Sequence, residues 1–375
     1  MIYLDYSANT PVDEAVLQRF CVVERNCPGN ANSRHAAGTA AKAAIDAATQ
    51  SIARSLNVQP AEIIYTSGAS EANNFAIKSI ARLERHHGRH IISTPLEHSS
   101  VSGSLTALQE QGYEIDLVDI RQDGTVDLAH LKELLRPDTI LVAVTAVDSE
   151  LGVVQPVAEI AEMLKACPHC HFHVDATQAV GKLPVSFAGI DTMSLTAHKF
   201  YGLNGIGVLV KRRGLALEPL IHGGESTTLY RSGTPTVALA SSLACALDLA
   251  VIDLLNRVDH VAKLNAELRA ALSTYPLVRI NSPDHAIPHV LNLSVQNVKG
   301  TVFQRELDAK GVCVSVKSAC SSDGLPSRAV FAVSRDRRNA LSSWRISLSH
   351  LTTEDEIKAF LQAFDVCYRE LTAVH

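Results

Sequence analysis

The chain has 375 residues, 46% apolar, 19% charged and 5% aromatic, with 34 basic and 39 acidic side chains and a formal net charge of −5. That length accommodates two or three domains with ample apolar material for buried cores. The mild, mixed charge has no Lys/Arg block, so nothing in it argues for nucleic acid or a membrane surface as the main partner.

The N-terminal Met1-Ile2-Tyr3-Leu4-Asp5 lacks a basic and then apolar leader, so no signal peptide is expected. No apolar run approaches the roughly 18 residues of a membrane span. The eight cysteines are then expected as free thiols in a cytoplasmic chain. Strands are predicted at residues 62–66, 90–94, 114–118, 140–145, 171–175, 192–196 and 207–210. Helices are predicted between them at 36–56, 70–84, 100–111 and 157–165. In the first of these helices Ile45, Ala48, Ile52 and Leu56 recur at helical spacing and face a core. Alternation of β-branched, nearly all-apolar strands with helices predicts a parallel sheet covered on both faces. Residues 237–271 read as one nearly unbroken helix, long enough to bridge two domains. Beyond it, 277–280, 290–293 and 312–316 read as strands of a smaller α+β unit. A last helix, 352–371, opens on the capping-box pattern Thr352-Thr353-Glu354-Asp355-Glu356.

In an open parallel sheet, ligands bind beyond the carboxyl ends of the strands. Thr66-Ser67-Gly68-Ala69-Ser70-Glu71 follows the first strand and opens a helix, which makes a phosphate cradle of backbone N–H groups. Arg231-Ser232-Gly233-Thr234 is a second phosphate-type loop. His98 follows the second strand, where an imidazole can stack on a ring and move protons. Asp175 ends an apolar strand, and a carboxylate there needs a partner such as a pyridinium nitrogen. Lys199 ends the next strand, a costly position for a lysine unless it is paired or used covalently, as in a Schiff base. Singly, each is also what an ordinary helix cap or snorkelling side chain gives. Together they put the parts of a pyridoxal 5′-phosphate site at successive strand ends.

Two further features weigh less. Cys167-Pro168-His169-Cys170-His171 with His173 is a lone C-x-x-C without a second pair, so no metal site is expected. His86-His87-Gly88-Arg89-His90 reads as a solvated turn.

The ordered motifs Thr-Ser-Gly-Ala-Ser-Glu, Glu-His-Ser, Val-Asp-Ala-Thr-Gln, His-Lys and Arg-Ser-Gly-Thr resemble the cysteine desulfurases of the NifS/IscS type, in the class V aminotransferase group of pyridoxal-phosphate enzymes. The match runs from Tyr3-Leu4-Asp5 through 29–35 to Ser318-Ala319-Cys320 and Trp344-Arg345-Ile346-Ser347. The resemblance implies an α/β fold of type I: a mostly parallel seven-stranded sheet in a large domain, 14–255, and a small α+β domain of 1–13 with 256–375. It also implies roles. Lys199 would carry the cofactor, and His98 would stack on its ring as acid/base. Asp175 would hold the ring nitrogen, with Gln178 and Ser149 at the ring hydroxyl. Ala69, Ser70, Thr196 and His198 would hold the phosphate, joined by Thr234 from the partner of a homodimer. Arg345, with Asn32, would bind the substrate carboxylate. Cys320 would take sulfur from L-cysteine as a persulfide and pass it to an acceptor protein for iron–sulfur cluster assembly or tRNA thiolation.

The segment 318–327 resembles the longer catalytic loop of group I desulfurases. Three departures bear on substrate preference and rate. Ser149 replaces an asparagine, Ser226-Thr227 stand for Gln-Glu, and Val316-Lys317 precede Ser318-Ala319-Cys320. They keep open a selenocysteine lyase, a cysteine C–S lyase, or a sulfur-trafficking scaffold with weakened catalysis.

Overall fold

The computed structural model describes residues 1–224, 229–317 and 325–373. The chain opens with strand β1 (Ile2–Tyr3) and helices α1 (Glu14–Asn26) and α2 (Ala36–Ser55). Strands and helices then alternate: β2 (Ile63–Thr66), α3 (Ala69–Glu84), β3 (His90–Ser93), α4 (Ser99–Gln109), β4 (Glu114–Leu117), α5 (Leu128–Leu134) and β5 (Thr139–Thr145). There follow α6 (Val157–Leu164), β6 (His171–Asp175), β7 (Thr192–Thr196) and β8 (Gly207–Lys211).

These strands form one seven-stranded sheet in the order β2-β8-β7-β6-β5-β3-β4. Only β8 runs antiparallel to its neighbours, so the sheet is mostly parallel, as expected. The strand pattern explains the two covered faces. Ile92, Val142, Phe172 and Val174 join one core cluster, while Ile91, Leu141 and Ala143 join another beneath Phe75 and Ile80 of α3. Neighbours along a strand point to opposite faces, so runs such as Thr139–Thr145, buried throughout, serve both layers. Edge strand β4 instead has half-buried Ile115 and Asp116 between exposed Glu114 and Leu117.

The expected single helix over 237–271 is corrected. It is two helices, α7 (Val237–Ile252) and α8 (Leu254–Leu272), bent by 67° at Asp253. The apolar pattern runs through the break because the halves bury into different cores. Leu243 and Leu247 pack with the large sheet, and Val261, Leu264 and Leu268 with the C-terminal cluster. Asp253 departs from helical geometry, and its side chain accepts from Asn256 Nδ2 in the first turn of α8 at 2.8 Å.

The remaining elements are β9 (Val278–Ile280), β10 (Val290–Val295), α9 (Gly300–Ala309), β11 (Val312–Cys313), α10 (Arg328–Ser334), α11 (Arg337–Ser342), β12 (Ser343–Ser347) and α12 (Glu354–Thr372). The order β12-β10-β9 makes an antiparallel sheet, and β1 pairs in parallel with β11. The strand expected at 312–316 is therefore only Val312–Cys313; Ser315 alone bridges onward, to Arg345 of β12. The stacked Phe303 and Trp344 rings, 5.1 Å apart, centre this core. Helix α12 has the predicted capping box, with Thr353 and Glu356 bonded reciprocally.

The histidine-rich turn is also corrected in part. His90 is fully buried and bonds Thr139 Oγ1 at 2.7 Å. The rest of that turn meets the cysteine-histidine segment in space, with His87 stacked on His169 at 3.9 Å. Glu84, His86 and His87 bring ligand atoms within 4.8 Å of one another, a group that includes no cysteine. Among the described residues no single helix is long and apolar enough to cross a membrane.

Candidate functional site

A cleft of about 320 Å³ opens at the carboxyl ends of β5, β6 and β7, closed on one side by β12. Lys199 reaches it from the short 3₁₀ turn Ala197–Lys199 that follows β7, and Asp175 from the last residue of β6. His98 reaches it as the N-cap of α4. Ala69 and Ser70 come from the first turn of α3, Thr196 from the end of β7, and Gln178, His198 and Ser149 from the loops. Arg345 enters from β12, nearly 150 residues after Lys199 in the chain.

The cleft floor carries an open helix start. Gly68 caps α3 without a side-chain hydrogen bond, which leaves the first N–H groups of the helix for a ligand. Ser67 N–H donates to Glu71 Oε2 at 2.6 Å, and Glu71 pairs with Arg231 at 3.1 Å. These contacts hold the turn in shape. A Cβ on Gly207 would lie 2.7 Å from Gly68 Cα, so a glycine is required where β8 supports this turn. Nearby, His198 Nδ1 lies 3.1 Å from Thr196 Oγ1. Burial, joined by the charges of Lys199 and Lys182, pushes its imidazole down to about 4, so it is neutral near pH 7.

Around the middle of the cleft the charged groups are tightly held. Lys199 Nζ donates to the carbonyls of Ser7 and Ala8 at 2.7 and 2.6 Å. Asp175 accepts from Asn73 Nδ2 at 2.8 Å and from the Thr177 N–H at 3.0 Å. Gln178 donates to Ser7 O at 2.9 Å and accepts from Lys182 Nζ. His98 Nδ1 accepts from the Ser100 N–H at 3.1 Å. Burial lowers the His98 pKa; Asp175 opposes this, and Lys199 and Arg328 reinforce it.

Arg345 is 1% exposed. It donates from Nη2 to Asp5 Oδ1 at 2.9 Å and from Nη1 to the Ser149 carbonyl at 2.7 Å, and Ser315 Oγ donates to the other Asp5 oxygen. Its Nε, together with Ser7 Oγ and Thr177 Oγ1, is buried with no partner. Ser7, Thr177 and Arg345 all line the cleft, so these unpaired atoms lie in its wall, where a polar ligand or water can satisfy them. An open helix start that suits a phosphate, a carboxylate that suits a ring nitrogen and a lysine amine lining the same cleft fit pyridoxal phosphate.

Not every expected residue meets here. Thr234 lines a separate cavity of about 80 Å³ beside Ser67, and Asn32 lines a third. Cys320, Ser226 and Thr227 lie outside the described residues. The ends of the Cys320 segment are described, and Lys317 Nζ donates to Leu325 O at 3.0 Å across them. The sequence reading missed Asn73, Ser100, Lys182, Asp5 and the Ser7 and Ala8 carbonyls. For Asn73 there was a signal, two adjacent asparagines inside a helix, where that residue competes with the backbone.

The aminotransferase class-V model matches residues 2–360. A Vibrio cholerae protein named cysteine desulfurase IscS is 37% identical over 382 residues, covering 100% of this chain and 94% of its own length. A solved NifS-like protein superposes with a TM-score of 0.92 at 34% identity, over 97% of this chain and 98% of that one. The structure of SspA in complex with cysteine does so at 0.83 and 30% identity, over 94% and 100%.

Proposed function

This chain belongs to the aminotransferase class-V family, and from that premise we propose that it is a pyridoxal-phosphate-dependent cysteine desulfurase. The net reaction turns L-cysteine and the Cys320 thiol into L-alanine and a Cys320 persulfide: one C–S bond breaks, one S–S bond forms, and the carbon takes a proton. The observation that carries this reading is the convergence of Lys199, His98, Asp175 and Arg345 on one cleft.

The cofactor, when bound, supplies the electron sink that makes a substrate C–S bond breakable. This chain's residues do the rest. Lys199 holds the cofactor covalently. Ala69, Ser70, Thr196 and His198 receive its phosphate, and Asp175 keeps the ring nitrogen protonated. Gln178 and Ser149 serve the ring hydroxyl. His98, held neutral by burial, takes and returns protons near pH 7. Arg345 offers the substrate carboxylate a guanidinium already fixed by Asp5, and the bidentate geometry suits a carboxylate.

Thr234, which faces a cavity next to Ser67 in place of the main cleft, serves the phosphate of a second copy of the chain, so the working unit is a homodimer. The two bodies of each copy are 14–255 and 1–13 with 256–375; Leu4 shares a core with Val261 and the C-terminal elements, while the sheet's core also takes in Ile287, Val290, Ala329 and Ala340 of the second body. The seven described cysteines are all free thiols, which suits a cytoplasmic setting. The persulfide sulfur passes to an acceptor protein of cluster assembly or tRNA thiolation.

Incubation with L-cysteine without reductant, followed by intact mass measurement, tests the reading. A sulfur adduct on Cys320 and one alanine per adduct are expected. Undiminished alanine release by Cys320→Ala sinks the persulfide route in favour of a C–S or selenocysteine lyase. Protein that stays colourless after added pyridoxal phosphate points to a scaffold.

A further inference from the structure

A buried hydrogen-bond tree connects Asp175 with His98, and Asn73 is its branch point. Asn73 is 0% exposed and uses all four positions its amide offers. One N–H goes to Asp175 Oδ2 at 2.8 Å and the other to Ser100 Oγ at 2.9 Å. The carbonyl oxygen receives His173 Nε2 at 3.0 Å and Ser194 Oγ at 2.5 Å.

Because an amide nitrogen only donates and its oxygen only accepts, the direction of every link follows. His173 carries its proton on Nε2, and its Nδ1 accepts from Thr192 Oγ1 at 2.9 Å. Ser100 Oγ has accepted from Asn73, so its own proton turns to His98 Nδ1 at 2.9 Å. That nitrogen also accepts the Ser100 N–H at 3.1 Å. Neutral His98 therefore carries its proton on Nε2. Neither the helix nor the core asks for this arrangement. Asparagine is a poor helix former, and a buried amide is costly unless fully paired.

We propose that Asn73 is a positioning residue that sets Asp175 and His98 together, aiming the carboxylate directly and fixing the imidazole tautomer through Ser100. The inference rests on the pyridoxal-phosphate reading above. The tree has two separable branches. Asn73→Ala cuts both, Ser100→Ala cuts only the His98 branch, and Ser100→Thr keeps the hydroxyl. The other charged or titratable groups around the cleft are Lys199, His198, Glu71 and Arg345, with Arg328 acting on His98, Glu97 facing Asp175, Lys182 behind Gln178 and His173 behind Asp175. These variants leave all of them in the chain.

The test uses purified holoenzyme and reads the pH midpoint of the visible absorption of the bound cofactor, beside the acid limb of kcat/KM. Without the Asn73 donor the Asp175 carboxylate is more basic and draws the ring-nitrogen proton toward itself. The cofactor loses positive charge, and its midpoint rises by about one pH unit. In Ser100→Ala the midpoint stays put. The acid limb moves to higher pH, because a donor that favours the neutral imidazole is gone. Ser100→Thr keeps the wild-type profile.

An Asn73→Ala holoenzyme with the wild-type midpoint, or a Ser100→Ala profile identical to that of Ser100→Thr, overturns the inference alone. If Asn73→Ala does not fold, the Ser100 pair decides. A wild-type protein that takes up no pyridoxal phosphate overturns the proposed function and this inference with it.

Discussion

The two walls of the cleft are finished to different degrees. On the sheet side, behind Asp175, Asn73 has every hydrogen-bonding position filled and His173 is bonded through both ring nitrogens. On the side formed by β12 and the N-terminal segment, Arg345 Nε and Ser7 Oγ are buried without partners, as is Asp148 Oδ1 in the adjoining loop. A buried network stabilises most when it is complete, so the Asn73 cluster is set before any ligand arrives, although Thr177 Oγ1 and Glu97 Oε2 on the same side stay unpartnered. The opposite wall keeps unspent donors and acceptors, which a transient ligand can satisfy and then release. The difference separates a group that stays from one that turns over.

Arg345→Lys probes the unfinished wall most severely. A lysine keeps the charge and loses the fork that spans Asp5, Ser149 and a carboxylate. KM for L-cysteine is expected to rise roughly 100-fold, about 2.7 kcal/mol, with the cofactor's absorption unchanged. A loss of cofactor instead would mean that the two walls are not independent.

Glu97 tests the sheet wall from behind. It accepts from Thr94 and from the Thr145 N–H, yet burial pushes its carboxyl up to about 8. The sign follows from the two states: between about pH 4.5 and 8 the unfolded chain has lost this proton while the folded chain keeps it. Folding stability attributable to Glu97 therefore falls as pH rises through that window. Glu97→Gln preserves the accepting oxygen and removes the titration. Denaturant melts should show a variant more stable than wild type by on the order of 3 kcal/mol at pH 8, and little different at pH 4.5. Equal slopes in both proteins would mean that Glu97 stays ionised.

Gly207→Ala is the mildest of the three. Its Cβ would press on Gly68 and shift the turn that opens α3. The dissociation constant for pyridoxal phosphate is expected to rise about tenfold, or 1.4 kcal/mol, while KM measured at saturating cofactor stays near wild type. An unchanged cofactor affinity would remove the α3 start from the phosphate seat.

The sheet, its seven strands and the strand-end residues Lys199, Asp175 and His98 were legible because strands repeat every two residues and ligands collect at strand ends. Ser100 was not, and Asn73 showed only as one of two adjacent asparagines in a helix, since their meaning lies in contacts 102 and 27 residues away along the chain. The bend at Asp253 escaped for a different reason: two helices facing different cores can share one apolar rhythm. Nor does any local pattern announce that Ser7 and Ala8 supply carbonyls to Lys199, 192 and 191 residues later.

The N-terminal segment also sets an order of events during synthesis. Strand β1 pairs with Val312 and Cys313, and Asp5 meets Arg345 across 340 residues. A ribosome adding 5–20 residues per second needs roughly 20–70 seconds to make that stretch. For that time Ile2, Tyr3 and Leu4 have no partner strand, while Ser7 and Ala8 can already meet Gln178 and Lys199. The cofactor seat on the sheet can form early, whereas the finished cleft waits for nearly the last element translated. A chain cut short before β12 should thus fold its large sheet and still lack a completed cleft.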